Sequence, residues 1–174
     1  MIDLRYPIGK FEAPKTMTAE LRHELISQIA EAPSQLREAV AGLNPQQLNT
    51  PYREGGWTVC QVVHHVPDSH LNAYVRFKLA VTENEPTIKP YDEARWAVLP
   101  DASESDIEVS LALLDALHRR WTLFLRSLKE QQFQRTFHHP EIGVMSLDRT
   151  LASYAWHGRH HIAHIYALRK RRGW

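Results

Sequence analysis

The segment between residues 107 and 128 constrains the fold more than any other part of the chain. Apolar side chains recur there at every third or fourth position, at Ile107, Leu111, Leu114, Leu117, Trp121, Leu125 and Leu128. This spacing predicts a helix with one continuous apolar face, and either Ser103 or Ser105 is placed to cap its start. Because such a face must be buried, the helix is expected to pack against other helices.

Two earlier segments share this helical periodicity. The first begins near Thr18 and contains Pro33, so we expect one helix that is broken or kinked at that proline. The second is expected over residues 59–82, because Thr58 and Gln61 have the spacing of a capping box. Each segment therefore predicts one long helix of the fold.

The second half of the chain continues this pattern. Residues 83–101 contain prolines that prevent a long helix, although residues 92–99 have the composition of a short one. A last helix is expected from a cap at Ser146 to about Arg171. Four main helices without a strong strand pattern predict an all-α fold, an up-down four-helix bundle with a long crossover connection.

Length and composition fit one globular domain over residues 1–174, with residues 1–16 as an extended N-terminal arm. The net charge of +1 gives no reason to expect a nucleic-acid partner, and the basic run 169–172 complements a helix end. The single cysteine, Cys60, excludes an internal disulfide and fits a reducing compartment. Because no apolar stretch reaches the length of a membrane span, we expect a cytoplasmic protein without a membrane partner.

Histidines are concentrated in two places. Four of the eleven lie between residues 157 and 164, and the pair His64-His65 lies in an apolar run of the second helical segment. Two histidines four positions apart on a helix project to the same side and can bind one metal ion. A third histidine from another helix would complete a facial triad. The spacing alone leaves open a group of core and surface histidines without a metal.

Helical projection separates the histidines of the last helix. At 100° per residue, His161 lies roughly 40° and His157 roughly 80° from the centre of the apolar face. His164 lies about 100° and His160 about 140° away. The projection therefore favours His157 and His161 as the inward pair. Gly158 fits this arrangement because it allows a neighbouring helix or ligand to approach closely, although it is equally explained as a packing glycine.

The same projection on the second long helix places His65 at the flank of the core and His64 toward water. His70 lies closer to the apolar centre, so it is either a rival third ligand or a buried histidine satisfied by hydrogen bonds. Pro67 removes a backbone hydrogen bond and should kink the helix just beyond His65. Asp68 is either a carboxylate that orients a ligating imidazole or a solvated acid.

Three neutral imidazoles without a carboxylate or thiolate fit zinc, nickel or ferrous iron better than magnesium or calcium. The open coordination positions would hold water, whose pKa the ion lowers, or a substrate thiol bound as its thiolate. A structural zinc site normally has four protein ligands, so a triad favours chemistry over a structural role. The triad does not choose the reaction.

Several runs of the sequence resemble the YfiT branch of the DinB superfamily. The resemblance covers nearly the whole chain and is carried by residues 50–59, 61–66, 68–70, 72–74, 76–80, 88–93 and 154–165. It implies a four-helix bundle with one zinc or nickel ion held by His65, His157 and His161. It also implies a metal-dependent hydrolase that forms homodimers, with relatives that are S-transferases using bacillithiol or a similar thiol. Pro67 departs from the small helix-forming residue expected at its position.

The resemblance and the histidines together predict an enzyme that hydrolyses a small-molecule substrate with a water activated by the metal. The first alternative is a metal-dependent thiol S-transferase, and the second is a non-catalytic metal-binding stress-response protein. A metal-free helical interaction module is a further alternative. No general base is identifiable from the sequence, and Asp68, Tyr91 and Asp92 are candidates only by position.

Overall fold

The computed structural model describes residues 3–104 and 106–174, and helices dominate it. In chain order the elements are α1 (Ala19–Val40), α2 (Pro45–Leu48), α3 (Val59–Thr82), α4 (Glu93–Trp96), α5 (Pro100–Ser103), α6 (Ile107–Ser127), α7 (Glu130–Phe133), β1 (Thr136–His139), β2 (Gly143–Ser146) and α8 (Leu147–Arg172). The long helices α1, α3, α6 and α8 form a bundle. None of the described helices is long and apolar enough to cross a membrane.

Helices α1 and α8 run in the same direction along the bundle. Arg22, near the start of α1, binds the Asp148 carboxylate near the start of α8, with Nε to Oδ1 at 2.8 Å. At the other end, Arg169 of α8 donates to the carbonyl of Ala39 at 2.8 Å. Both pairs lie at matching heights, so the first and last long helices are parallel neighbours.

Helices α3 and α6 are also parallel to each other. His64 contacts Ser110, with Nδ1 and Oγ 2.7 Å apart, and His70 contacts His118, with Nδ1 and Nε2 2.8 Å apart. His118 also bonds to the carbonyl of Ile29 on α1. Two parallel middle helices require a long connection, which the chain between Thr82 and Ile107 provides. This arrangement confirms the bundle with one crossover connection.

The helix starts follow the capping residues, with one exception. Thr18, Thr58 and Ser146 each accept a hydrogen bond from a backbone N–H in the first turn of the helix that follows. Helix α6 is capped by Asp106, whose carboxylate accepts from the Glu108 N–H at 3.0 Å, whereas Ser103 ends α5. The predicted cap at Ser103 is therefore wrong, and the alternative at Ser105 lies outside the described residues.

Both internal prolines lie within continuous helices. Pro33 is inside α1 and Pro67 is inside α3. A break at Pro33 is therefore wrong, because each proline removes one backbone hydrogen bond while tertiary packing holds the rest of the helix. Helix α3 remains continuous through His65 and Pro67, which are two residues apart.

A short hairpin that the sequence analysis did not predict precedes α8. Strands β1 and β2 pair antiparallel, with Phe137 opposite Met145 and His139 opposite Gly143. Phe137 and Met145 are buried, which anchors the hairpin to the bundle. Four-residue strands give too few alternations to be recognised by periodicity, so the segment resembled a polar turn.

The core divides into two apolar clusters stacked along the bundle. The lower cluster contains buried apolar side chains such as Ile29, Phe77, Trp121 and Leu151, and the upper one contains others such as Leu36, Val62, Leu114 and Ile165. Histidines His70, His118 and His157 lie on α3, α6 and α8 in the gap between these clusters. A polar layer therefore crosses the bundle between two apolar halves.

Candidate metal centre

Helices α3 and α8 bring three imidazoles together. His65, His157 and His161 each offer a ring nitrogen, and the three nitrogens lie within 4.8 Å of one another. Nε2 of His65 is 3.3 Å from Nε2 of His157. The four-residue spacing on α8 places two of the rings on one side of that helix, and His65 faces them from the antiparallel α3.

A loop closes one side of this triad. The backbone N–H of Tyr52 donates to the carbonyl of Trp57 at 3.0 Å, which holds the loop before α3 in a tight turn. The Trp57 ring lies 4.6 Å from that of His65 and 6.4 Å from that of His161, measured between ring centroids. A larger residue in place of Gly56 would force neighbouring side chains to shift, because a Cβ there would meet Cγ of Arg53 at 2.8 Å.

The environment keeps the three imidazoles neutral. Burial lowers the pKa of His65 to about 4. Burial and then the neighbouring histidines lower the pKa values of His157 and His161 well below the ordinary value. The buried Nδ1 of His161 has no hydrogen-bond partner within the described part of the chain. Neutral imidazoles with converging nitrogens are the donor set that zinc or nickel prefers, so the residues fit the ion that the sequence suggested.

His70 is not part of the triad. Its Nε2 lies 3.1 Å from Nδ1 of His157, and its Nδ1 lies 2.8 Å from Nε2 of His118. His70 is fully buried behind His157, so the alternative of a buried, hydrogen-bonded histidine is correct. His118 was not among the predicted site residues, although its spacing from Leu114 fits the apolar stripe of α6.

Three histidines are buried against expectation. His64 was predicted to face water, but it is 3% exposed and bonds to Ser110 on α6. His160 and His164, which projected away from the core, are 7% and 2% exposed. His164 is covered by the N-terminal arm, where its Nε2 donates to the Arg5 carbonyl at 3.1 Å. A projection of one helix does not show which other segments of the chain cover it in the folded protein.

Asp68, the candidate for orienting the His65 imidazole, does not contact that ring through a hydrogen bond in the described part of the chain. Asp68 is half-buried, and burial followed by repulsion from Asp101 raises its pKa to about 6. Asp92 caps α4, where its carboxylate accepts the Arg95 N–H at 2.9 Å.

A cavity of about 600 Å³ opens beside the triad. Its wall includes all three histidines together with Tyr52, Trp57, Ser69, Arg76, Tyr91, His139, Glu141 and Tyr154. Tyr91 shares a hydrogen bond with Ser69, and burial raises the pKa of its phenol. Nδ1 of His139 accepts the Glu141 N–H at 3.2 Å, so the ring carries its proton on Nε2. Arg76 and His139 were not foreseen as cavity residues. The run 76–80 carried the family resemblance without indicating a role for Arg76, and the position of His139 depends on the unpredicted hairpin.

A family model described as the DinB superfamily matches residues 28–165. The chain belongs to the DinB superfamily. Relatives named "Putative metal-dependent hydrolase" from Bacillus cereus and Bacillus mycoides are each 54% identical over the full length of both chains. This membership confirms the resemblance seen in the sequence.

Two solved structures share the fold of this DinB chain. One is YfiT from Bacillus subtilis, described as "a probable metal-dependent hydrolase with an unusual four-helix bundle topology". It is 49% identical, covers 98% of each chain and has a TM-score of 0.96. The other, the four-helix bundle protein TT2238, is 24% identical over 81% of this chain and 94% of its own, with a TM-score of 0.57. The second likeness supports the fold alone.

Proposed function

We propose that the protein is a metal-dependent hydrolase that holds one zinc or nickel ion with His65, His157 and His161. The observation that carries this proposal is a set of three neutral imidazole nitrogens within 4.8 Å of one another, at the wall of a cavity of about 600 Å³. The names of the full-length relatives support the same reaction class.

Three histidine ligands suit a reactive site because they leave coordination positions open toward the cavity. A zinc or nickel ion held there would supply Lewis-acid chemistry, lowering the pKa of a water molecule and polarising a carbonyl or phosphoryl oxygen. The indole of Trp57 covers His65 and limits the access of bulk water from that side. The cavity volume fits a small-molecule substrate.

Other side chains of the cavity can bind and orient that substrate. The Tyr91 phenol stays protonated at neutral pH because burial raises its pKa, so it can donate a hydrogen bond. His139 offers its Nε2–H on the other wall, and Arg76 adds a positive charge. These groups favour a substrate with oxygen acceptors, such as an ester, an amide or a phosphoester.

Thiol transfer is the second candidate reaction. The cavity has room for two reactants beside the triad, and its wall carries both cationic Arg76 and anionic Glu141. Such mixed charge suits a zwitterionic low-molecular-weight thiol. In this reaction the thiolate of that molecule, rather than water, would attack an electrophilic carbon, and a C–S bond would form as the leaving group departs from that carbon with its bonding electron pair.

Turnover by the zinc-loaded and nickel-loaded protein tests these proposals. We expect hydrolysis of at least one chromogenic ester, amide or phosphoester, lost in His157→Ala and kept in His64→Ala. His64 is a matched control because it is a buried histidine next to His65 that lies outside the cavity wall. Turnover only with an added thiol and electrophile would replace hydrolysis with transfer. A loaded protein without turnover in either assay would contradict both and favour the non-catalytic metal-binding alternative.

We also propose that the protein forms a homodimer. The outer faces of α3 and α6 expose apolar side chains, namely Leu71, Val75, Val109, Leu113 and Leu123. Burial of such side chains against a second copy would remove apolar surface from water. Sedimentation equilibrium should give twice the chain mass of 20.2 kDa, and Val75→Asp should lower it. A monomeric wild-type protein at micromolar concentration would contradict this proposal.

A further inference from the structure

A chain of hydrogen bonds links the triad to the far side of the bundle. It begins at Nδ1 of His157, which lies 3.1 Å from Nε2 of His70. It continues from Nδ1 of His70 to Nε2 of His118 over 2.8 Å. It ends where Nδ1 of His118 meets the carbonyl oxygen of Ile29 on α1. All four long helices contribute one residue to this chain.

The last partner determines where every proton lies. The carbonyl oxygen of Ile29 can only accept, so Nδ1 of His118 must carry a proton. In a neutral ring the other nitrogen is then an acceptor, so Nε2 of His118 accepts from Nδ1–H of His70. By the same rule, Nε2 of His70 accepts from Nδ1–H of His157. Nε2 of His157 therefore carries a lone pair and no proton, and this is the nitrogen that lies 3.3 Å from Nε2 of His65.

The surroundings keep the chain neutral and fixed in position. His70 and His118 are 0% and 1% exposed between the two apolar clusters, and such burial disfavours a charged ring. The indole of Trp121 packs edge-on against both rings, with centroids 5.8 Å away in each case. Rings that are buried, neutral and packed on both sides cannot readily reverse their hydrogen bonds.

We propose that His70 and His118 are positioning residues that hold His157 in the tautomer with its proton on Nδ1, so that Nε2 is permanently available to a metal ion. This inference rests on the proposed function in taking His157 as a ligand, but the tautomer itself is a property of the metal-free protein. Hydrogen bonds of this kind to a ligating histidine fix its orientation and raise its basicity. His118 acts on His157 only through His70 and does not itself contact a triad residue in this role.

Nitrogen-15 NMR of histidine-labelled, metal-free protein tests the tautomer directly. We expect the signals of His157 to show a protonated Nδ1 and an unprotonated Nε2 in the wild type and in His64→Ala. His118→Phe removes the acceptor for Nδ1–H of His70, so His70 can adopt either tautomer and a mixture of tautomers is expected at His157. A wild-type His157 with its proton on Nε2 would overturn the inference, whether or not the protein binds metal.

Zinc affinity, measured by competition with a chelating dye, tests whether this tautomer strengthens metal binding. We expect His118→Phe to bind zinc about 10- to 100-fold more weakly than wild type, the range typical for loss of such a partner. His118→Gln should restore affinity, because its amide can donate to Ile29 and accept from His70 at once. Unchanged affinity in His118→Phe, or an equal loss in both variants, would overturn the inference. A wild type that binds no zinc would instead contradict the proposed function, and the NMR result would still decide the tautomer.

Discussion

Replacement of Asp148 by Ala should destabilise the protein strongly. Its carboxylate accepts hydrogen bonds from Nε and Nη2 of Arg22, at 2.8 and 3.0 Å, and from the Gln134 amide at 2.7 Å. The side chains of this ion pair are only 7% and 9% exposed. Removal of the acid leaves a buried guanidinium without a counter-charge, which costs about 3–5 kcal/mol. For a chain of this length, that loss lowers Tm by roughly 6–20 °C.

Urea unfolding of metal-free protein, followed by circular dichroism, measures this loss. The matched control is Glu108→Gln, which breaks the ion pair with Arg37, whose side chains are 49% and 59% exposed. That exposed pair should contribute about 0–1 kcal/mol. The double variant Arg22→Met, Asp148→Leu should be more stable than Asp148→Ala, because it leaves no unpaired charge. A loss below about 1 kcal/mol in Asp148→Ala would refute the reasoning that the pair is desolvated.

Three further expectations concern glycine, pH and metal. Gly158→Ala should raise the free energy of unfolding by about 0.5–1 kcal/mol in urea titrations, because the new Cβ meets Cβ of Ala32 at an ordinary contact distance of 3.4 Å. Gly56→Ala should lower the free energy of unfolding, because its Cβ would lie 2.8 Å from Cγ of Arg53. The free energy of unfolding should fall as pH is lowered from 6.5 toward 4. In this range His65 and His118 bind protons in the unfolded chain but stay neutral in the folded one, where their pKa values are about 4. A free energy of unfolding that rises on acidification would contradict this. Zinc at 100 times its Kd should stabilise the wild type by about 2.7 kcal/mol in thermal melts and leave His161→Ala unchanged.

The sequence predicted the helices well where local signals agree with burial. Thr18, Thr58 and Ser146 cap helices at the expected positions, and the apolar stripe of α6 lies on the core as expected. The residues that became the triad were also selected, because four-residue spacing on one helix face survives folding unchanged. The structure brings His65, His157 and His161 together, and their role as ligands stays a prediction until metal is measured.

Features that depend on distant segments were not predictable from the sequence. His64 is buried because α3 packs against both α6 and α8, whereas a projection of one helix defines a single inward direction. His164 is buried because residues before α1 return to cover α8. The contact between His118 and His70 joins residues 48 positions apart, and nothing in the spacing of either helix specifies it. Register between helices is the information that one-dimensional patterns lack.

Elemental analysis of untagged protein, purified without chelators, tests the central claim most directly. The account predicts about one zinc or nickel ion per chain in wild type and in His64→Ala, and none in His65→Ala, His157→Ala or His161→Ala. Circular dichroism of the same samples should show that each variant keeps its helices. Metal retained at one ion per chain in a folded triad variant, or no metal in wild type after loading with zinc and nickel, would contradict the account.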